Sequence, residues 1–399
     1  MTWQYQTRNV FIQFWPLWLS KLAWGMFWGT WEAMVPTVQR RLALTDAQMG
    51  EQLIVVIVGV LPAIFLGGRL WMKLGKFQLP LSLLIYASGT AWLGHVQSAK
   101  ELGQALLVVG VASGLLEVTL ACMIACAQEI TGQKMFSYGQ ALFPLAVVVA
   151  APAVGLMRRE GIAATAIFDV LAVFLVASAV AASLTSLQFT QIKVAGARPR
   201  VWRVPGVALV VISAMGFFFY VLEHAINQWS TLFLQRNLGA DPFLASWGPS
   251  VYMGAAYVGR VTAYRLGHRL PDLHITLFGF LAGAVVMLWV SFAADPWSAL
   301  AGYLVAGLLM SPAIPAVYNL ATQFSLPETR MQSLSNMSTI CNLGYVISPL
   351  LFGLTSSAYG MRNSWRLMSL IALLCLASLR LAQIGGVFRP KLAVSRQPT

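Results

Sequence analysis

Twelve apolar runs, each close to the roughly 20 residues that cross a bilayer, recur along this 399-residue chain. They fall near 10–36, 48–68, 78–96, 102–127, 136–157, 162–188, 205–234, 246–265, 273–293, 297–323, 333–357 and 363–386. In lipid, only helices and closed barrels satisfy the backbone. These runs are too long and too continuously apolar for the alternating strands of a barrel. The expectation is an all-α membrane protein with twelve transmembrane helices. Composition points the same way: 58% of the residues are hydrophobic and 10% charged, too little charge for a soluble surface.

The net charge of +13 does not imply a nucleic-acid partner, because the basic residues sit in short loops between apolar runs. With the N-terminus in the cytoplasm, seventeen Lys and Arg fall on the inner side, Arg260 among them, and eight on the outer, while Lys21 lies within a span. That bias predicts cytoplasmic N- and C-termini and a multi-pass protein of the bacterial inner membrane. Cys122, Cys126, Cys341 and Cys375 all lie in apolar segments, as buried small hydrophobes rather than a disulfide framework. Met1 to Asn9 is short and polar, with no cleavable signal expected.

The longest polar stretch between spans runs from Gln188 to Arg203 and follows the sixth span. It divides the chain into a six-helix bundle at 1–188, a cytoplasmic linker at 189–204, and a second bundle with a short tail at 205–399. The halves resemble each other. Gln39-Arg40-Arg41-Leu42 after the first span is matched by Gln235-Arg236-Asn237-Leu238 after the seventh. Gly68-Arg69 and Gly75-Lys76 are matched by Gly259-Arg260 and Gly267-His268. Gly114-Leu115-Leu116 is matched by Gly307-Leu308-Leu309, and Pro152 with Gly155 by Pro349 with Gly353. Four matches in one order, six spans apart, indicate a duplicated unit and two pseudo-symmetric bundles. Such repeats place a substrate near the midplane, between the halves.

Two stretches carry a closer likeness. One runs Trp24-Gly25-Met26, Glu32, Pro36, Leu44-Thr45, Gln48 and Gly50; the other is Gly114-Leu115-Leu116-Glu117. Together they resemble the fucose permease branch of the major facilitator superfamily. The resemblance implies the major facilitator fold and proton-coupled transport by alternating access. It places acidic residues of that branch at Glu32 and Glu117. Gly68, Arg69, Gly75 and Lys76 resemble the superfamily's cytoplasmic loop motif, without its usual aspartate. Phe143 and Pro144 depart from the sugar-contacting polarity of the fifth helix, where Gln140 is kept, and Lys21 has no counterpart. The resemblance thus implies coupling by protons without carrying over a sugar. It also implies that the third, sixth, ninth and twelfth helices are peripheral.

An ionisable group at the centre of a span costs roughly 3 kcal/mol or more, so each one is a functional candidate. Lys21, Trp24, Trp28 and Glu32 fall at i, i+3, i+7 and i+11 and share one face of the first helix. A cation, two indoles and a carboxylate on one face suit a cavity, not lipid. Two readings stand for Lys21: substrate contact beside the tryptophans, or a structural lock with Glu117 or Asp169. Glu117 sits mid-span among Leu115, Leu116 and Val118, where an apolar surround disfavours the charged form of a carboxyl. It is the first candidate for proton coupling, with Glu32 second. Its counterpart in the other half is Met310, which confines this acid to the first half.

In the seventh span Glu223, His224, Asn227, Gln228 and Ser230 form a polar patch, read as substrate contacts or as interhelical glue. His224 is also a candidate proton site. Asn319 and Gln323 in the tenth span and Asn336 and Asn342 in the eleventh extend the expected lining. Asp169 is expected in a structural pairing. Pro144, Pro152, Pro312, Pro315 and Pro349 are expected to bend helices that line the cavity. No nucleotide loop, metal-ligand spacing or hydrolytic constellation is present, so neither enzyme chemistry nor a metal or other cofactor is expected. The reading is a monomeric secondary transporter for a small polar metabolite, with lipid around it and protons as coupling ion. The alternatives are antiport export of an anionic metabolite such as a carboxylate siderophore, and multidrug export.

Overall fold

The computed structural model describes residues 14–131, 135–184, 206–266, 270–325 and 330–388. The first half contains α1 (Trp15–Arg41), α2 (Asp46–Leu74), α3 (Gln78–His95), α4 (Ala99–Thr131), α5 (Met135–Arg159) and α6 (Ala164–Ser183). The second contains α7 (Val207–Asn237), α8 (Trp247–Leu266), α9 (Asp272–Phe292), α10 (Pro296–Met310), α11 (Ala313–Gln323), α12 (Arg330–Tyr359) and α13 (Met361–Ile384). A turn at Ser311-Pro312 separates α10 from α11, and the two together make the tenth span. The linker at 189–204 lies outside the described residues.

Among the described residues, nine helical stretches are long and apolar enough to cross a membrane; one of them, Asp46–His95, holds both α2 and α3. The spans missing from these nine are α1 and α8. Their polar residues explain this: α1 carries Lys21 and Glu32, and α8 carries Arg260. Both helices turn that polarity into the protein. The opposite holds on α6, where Val170, Val173 and Val180 are exposed, as the lipid-facing side of a peripheral helix requires.

Local signals set the helix ends. Thr45 and Gln48 form a capping box at the start of α2: the Gln48 amide N–H donates to Thr45 Oγ1 at 3.2 Å, and Thr45 N–H donates to Gln48 Oε1 at 2.9 Å. The α2 helix ends at Gly75, whose φ of 51° suits a residue without Cβ. Asp295 caps α10 by accepting from Ser298 N–H at 3.0 Å.

The duplication is visible in the packing. A Cβ on Gly114 of α4 would sit 2.6 Å from the Val60 carbonyl of α2. A Cβ on Gly307 of α10 would sit 2.6 Å from Ala255 Cβ of α8. These matched glycines let two helix backbones touch in each half, the usual use of small residues in membranes. Gly114→Leu is expected to force α2 and α4 apart and to cost about 1–3 kcal/mol. It should lower the melting midpoint in detergent, whereas Gly68→Leu, with open space around its Cβ, should not. Equal midpoints for the two variants would refute this account of the crossing.

One end of the bundle is sealed. Asp46, at the start of α2, accepts from Gln39 Nε2 of α1 at 2.7 Å and from Arg236 Nη1 of α7 at 2.8 Å. It also accepts from Arg236 Nη2 and from Ser356 Oγ of α12. Beside it, Ala47 N–H donates to Ser357 Oγ at 2.8 Å. Arg158 of α5 donates to Thr37 Oγ1, to the Ala33 carbonyl and, across the halves, to Gln235 Oε1 at 2.8 Å. Gly50 lies against the Pro349 backbone and Gly155 against Ser246. One further bond between the halves, Ser250 Oγ to the Val147 carbonyl at 3.4 Å, lies slightly deeper.

Candidate functional site

Below the seal, α1, α4 and α5 enclose a cavity of about 340 Å³ lined by Lys21, Trp24, Glu117, Ala121, Ile124, Gly139 and Phe143. Glu117, Ala121 and Ile124 are one and two turns apart, so a single face of α4 forms one wall. Lys21 and Trp24 of α1 form another. Trp24 is fixed from three sides. Its Nε1–H donates to Ser113 Oγ at 2.8 Å, Phe143 packs edge-on at 5.1 Å, and Lys21 Nζ lies 4.4 Å from the ring centroid. A cation over an indole face is attracted by the ring quadrupole, more so when desolvated.

Lys21 is buried, while Glu117 is open to the cavity. Each lies in the electrostatic field of the other, yet no ion pair shorter than 4.0 Å joins them. Asp169 is not the partner of Lys21 either. Both its oxygens lie 3.2 Å from His95 Nε2, tying α6 to α3 in a half-exposed pair. Among the described residues Lys21 therefore makes no short salt bridge, and its cation remains available to the cavity.

The second half contributes a different arrangement. Arg260 Nη2 donates to Glu223 Oε1 at 2.7 Å, joining α8 to α7. Placing Arg260 in an inner loop, by analogy with Arg69, needs correcting. The α8 helix continues to Leu266, and a buried carboxylate one helix away takes the guanidinium. Arg69 itself is exposed and lies over the Phe65 ring at 4.9 Å. Aromatic residues surround the ion pair. Tyr220 tilts on Tyr345 at 4.6 Å and His224 meets Tyr345 edge-on at 4.9 Å. Tyr345 lies within electrostatic reach of Glu223 and Arg260 and also of Glu117.

Other expected site residues are placed as follows. Glu32 is buried toward the seal, away from the cavity lining, and its Oε2 has no hydrogen-bond partner. Trp28 is half-buried, edge-on to Phe27 at 5.5 Å. Asn227 and Gln228 are buried, and their side-chain carbonyl oxygens are unpartnered. Asn319 and Gln323 do not join the cluster. They donate to Asp272 at 3.2 and 2.8 Å, pinning the exposed end of α11 to the start of α9. Asn342 donates to the Ser338 carbonyl of its own helix at 2.9 Å. The side chain of Gln140 lies outside the described residues. Of the loop motif, Gly68 and Gly75 sit in open space and Lys76 lies over Phe77 at 5.6 Å. No group of three or more metal-ligating side chains occurs among the described residues.

Ser113, Phe143, Tyr220, Arg260 and Tyr345 were not among the expected site residues. Tyr220 was within reach, since it lies one turn before His224 on the same face of α7. Arg260 sits deep enough in an apolar run to signal a buried cation, but its resemblance to Arg69 masked that.

Two six-helix repeats around a charged cavity, sealed at one end, define the architecture of this multi-pass membrane protein. Residues 209–391 match the Major Facilitator Superfamily family model. An uncharacterized MFS-type transporter of Yersinia pestis is 22% identical over 360 residues, spanning 89% of this chain and 92% of that one. The crystal structure of a point mutant of the nucleoside transporter NupG superposes with a TM-score of 0.79 at 11% identity, over 94% of this chain and 99% of its own. A bacterial homolog of the human lysosomal transporter Spinster, inward-facing and unoccupied, gives 0.78 at 14% identity, over 95% and 98%. The family model matches the second half of the chain, and the structural likenesses, all at low sequence identity, show a shared fold. The fold is the major facilitator fold.

Proposed function

We propose that this chain is a proton-coupled secondary transporter of the bacterial inner membrane and that its substrate is a small metabolite bearing an anionic group. The observation that carries this is the shared cavity of Lys21 and Glu117 without a short salt bridge between them. With Glu117 ionised, its charge competes with a substrate anion for Lys21. With Glu117 protonated, the competition ends and Lys21 is free to receive the anion. Proton and anion then bind together, and the loaded cavity carries no added charge. The likeness of the Glu32 and Glu117 positions to the fucose permease branch supports the proton as coupling ion. Indole and phenyl walls beside a cation fit an anion with an apolar body better than a neutral sugar.

The inner-side excess of basic residues supports cytoplasmic termini. On that orientation the sealed end is the outer one, and the cavity is loaded and emptied from the cytoplasm in this state. Opening the seal while closing the other end completes alternating access, and ligands move that equilibrium only through differential affinity.

The test is a thermal-stability screen of purified protein against organic acids, carboxylate siderophores, neutral sugars and lipophilic cations at pH 6 and pH 8. A ligand that binds the folded state at 100 times its Kd adds about 2.7 kcal/mol, read as a raised midpoint. Stabilisation by an acid should be larger at pH 6 than at pH 8, should lose that pH dependence in Glu117→Gln, and should vanish in Lys21→Ala. In proteoliposomes the same acid should drive proton flux that Glu117→Gln abolishes. Stabilisation by neutral sugars that survives Lys21→Ala would overturn the anion assignment.

A further inference from the structure

On the outer wall of the second half, α8, α9, α10 and α13 surround a cleft of about 790 Å³. It lies in a different part of the molecule from the Lys21 cavity and shares no lining residue with it. Its walls are apolar, and Phe278, Leu281 and Leu309 are exposed along it. From His274 to Leu281 the cleft follows α9 for eight residues, about 10 Å of helix. Of its lining side chains, His274 and Arg380 are the chargeable ones. Both lie at the end where α8 stops and α9 begins, so the charge sits at the mouth and the apolar walls run inward from it.

Among the described residues, cations outnumber acids at this end. Asp272 keeps its negative charge there and turns it toward the amides of Asn319 and Gln323, which are not lining residues of the cleft. Arg265, in the last turn of α8, adds a further cation. Arg380 donates to a neutral group, Gln383 Oε1, at 3.2 Å.

An apolar slot with a guanidinium and an imidazole at its membrane-surface end has the shape and polarity of a phospholipid. Guanidinium groups bind phosphate through two parallel N–H donors, and basic pockets between transmembrane helices take anionic headgroups. We propose that this cleft binds an anionic phospholipid, with its phosphate at Arg380 and His274 and an acyl chain against Phe278, Leu281 and Leu309. Thr262 and Ala263 of the cleft lie two and three residues beyond Arg260 on α8. The lipid thus braces the back of the helix that delivers Arg260 to Glu223.

The experiment is native mass spectrometry of the detergent-purified protein titrated with dioleoyl phosphatidylglycerol, dioleoyl phosphatidylethanolamine or inorganic phosphate, with melting midpoints in parallel. Phosphatidylglycerol should bind at low stoichiometry and raise the midpoint, and the other two should not. Arg380→Ala should weaken that binding roughly tenfold, the worth of one charge-assisted contact. Leu309→Trp, which fills the slot and leaves both cations in place, should weaken it as well. Both variants should melt like the parent in the absence of lipid, since both residues are exposed. Equal binding of the two phospholipids, or phosphatidylglycerol binding untouched by both variants, would overturn the proposal. Binding of phosphate alone at Arg380 would show an anion site without a lipid slot and would overturn it too.

Discussion

Asp46→Asn should shift the protein toward the conformation open at the end that is now sealed. Asp46 is 5% exposed and holds three helices besides its own, two of them from the other half. Removing its charge leaves Arg236 without its carboxylate. Truncating one partner of a buried hydrogen-bonded charge pair costs about 2–5 kcal/mol, and the low end applies because Arg236 is 46% exposed. About 2 kcal/mol is roughly thirty-fold in a population ratio. Spin labels at Ala43 and Tyr359, on opposite sides of the seal, would report the change as a longer distance distribution. The charge swap, Asp46→Arg with Arg236→Asp, should restore part of the short distance. An unchanged distribution in Asp46→Asn would mean that Gly50, Gly155 and the Arg158 contacts hold the seal without the ion pair.

Arg260→Ala should be the most destabilising single change in the second half. It strands Glu223, 5% exposed, as an unpaired carboxyl between helices. Breaking a buried pair in this way costs about 3–5 kcal/mol. Glu223→Gln should cost less than half as much, because Arg260 is 37% exposed and water reaches the guanidinium left behind. Replacing both by Met removes the burial cost of both charges and should recover most of the loss, as for other buried pairs. Thermal midpoints of the four proteins would show this ordering. Equal losses in the two single variants would mean that the pair is solvated on both sides. If the double variant is stable yet no longer responds to ligand, the pair serves the substrate rather than the fold.

The residues that meet in the first-half cavity carry local signals. A cation, two indoles and a carboxylate at helical spacing on α1 can avoid lipid in only one orientation, and the structure does bring Lys21 and Trp24 to one cavity with Glu117. Asp169 read as a structural partner because a peripheral helix has no cavity to face, and its partner is His95. Other residues misled for equally physical reasons. Asn319 and Gln323 sit on a helix whose far end leaves the cavity, and an amide near an exposed helix end satisfies itself on the nearest carboxylate. Arg260 sits at the repeat position of an exposed arginine, but a repeat preserves backbone geometry without preserving side-chain partners. By local sequence Asp46 is only a first-turn acid beside the Thr45–Gln48 cap. Only the approach of Arg236 and Ser356, each some two hundred residues or more away, makes it a seal.

The division between sequence and tertiary structure follows from the solvent. Lipid cannot hydrogen-bond a backbone, so composition and run length alone commit this chain to helices, and the repeat commits them to two bundles. Polar residues within the spans must then face inward, which identified the helices that line the cavity. How those inward groups pair is decided by side chains from helices far apart in sequence, meeting at distances of about 3 Å that no local pattern encodes. Hence the freedom of Lys21, the capture of Arg260 by Glu223 and the closure of one end by Asp46 became visible only once the halves were packed together.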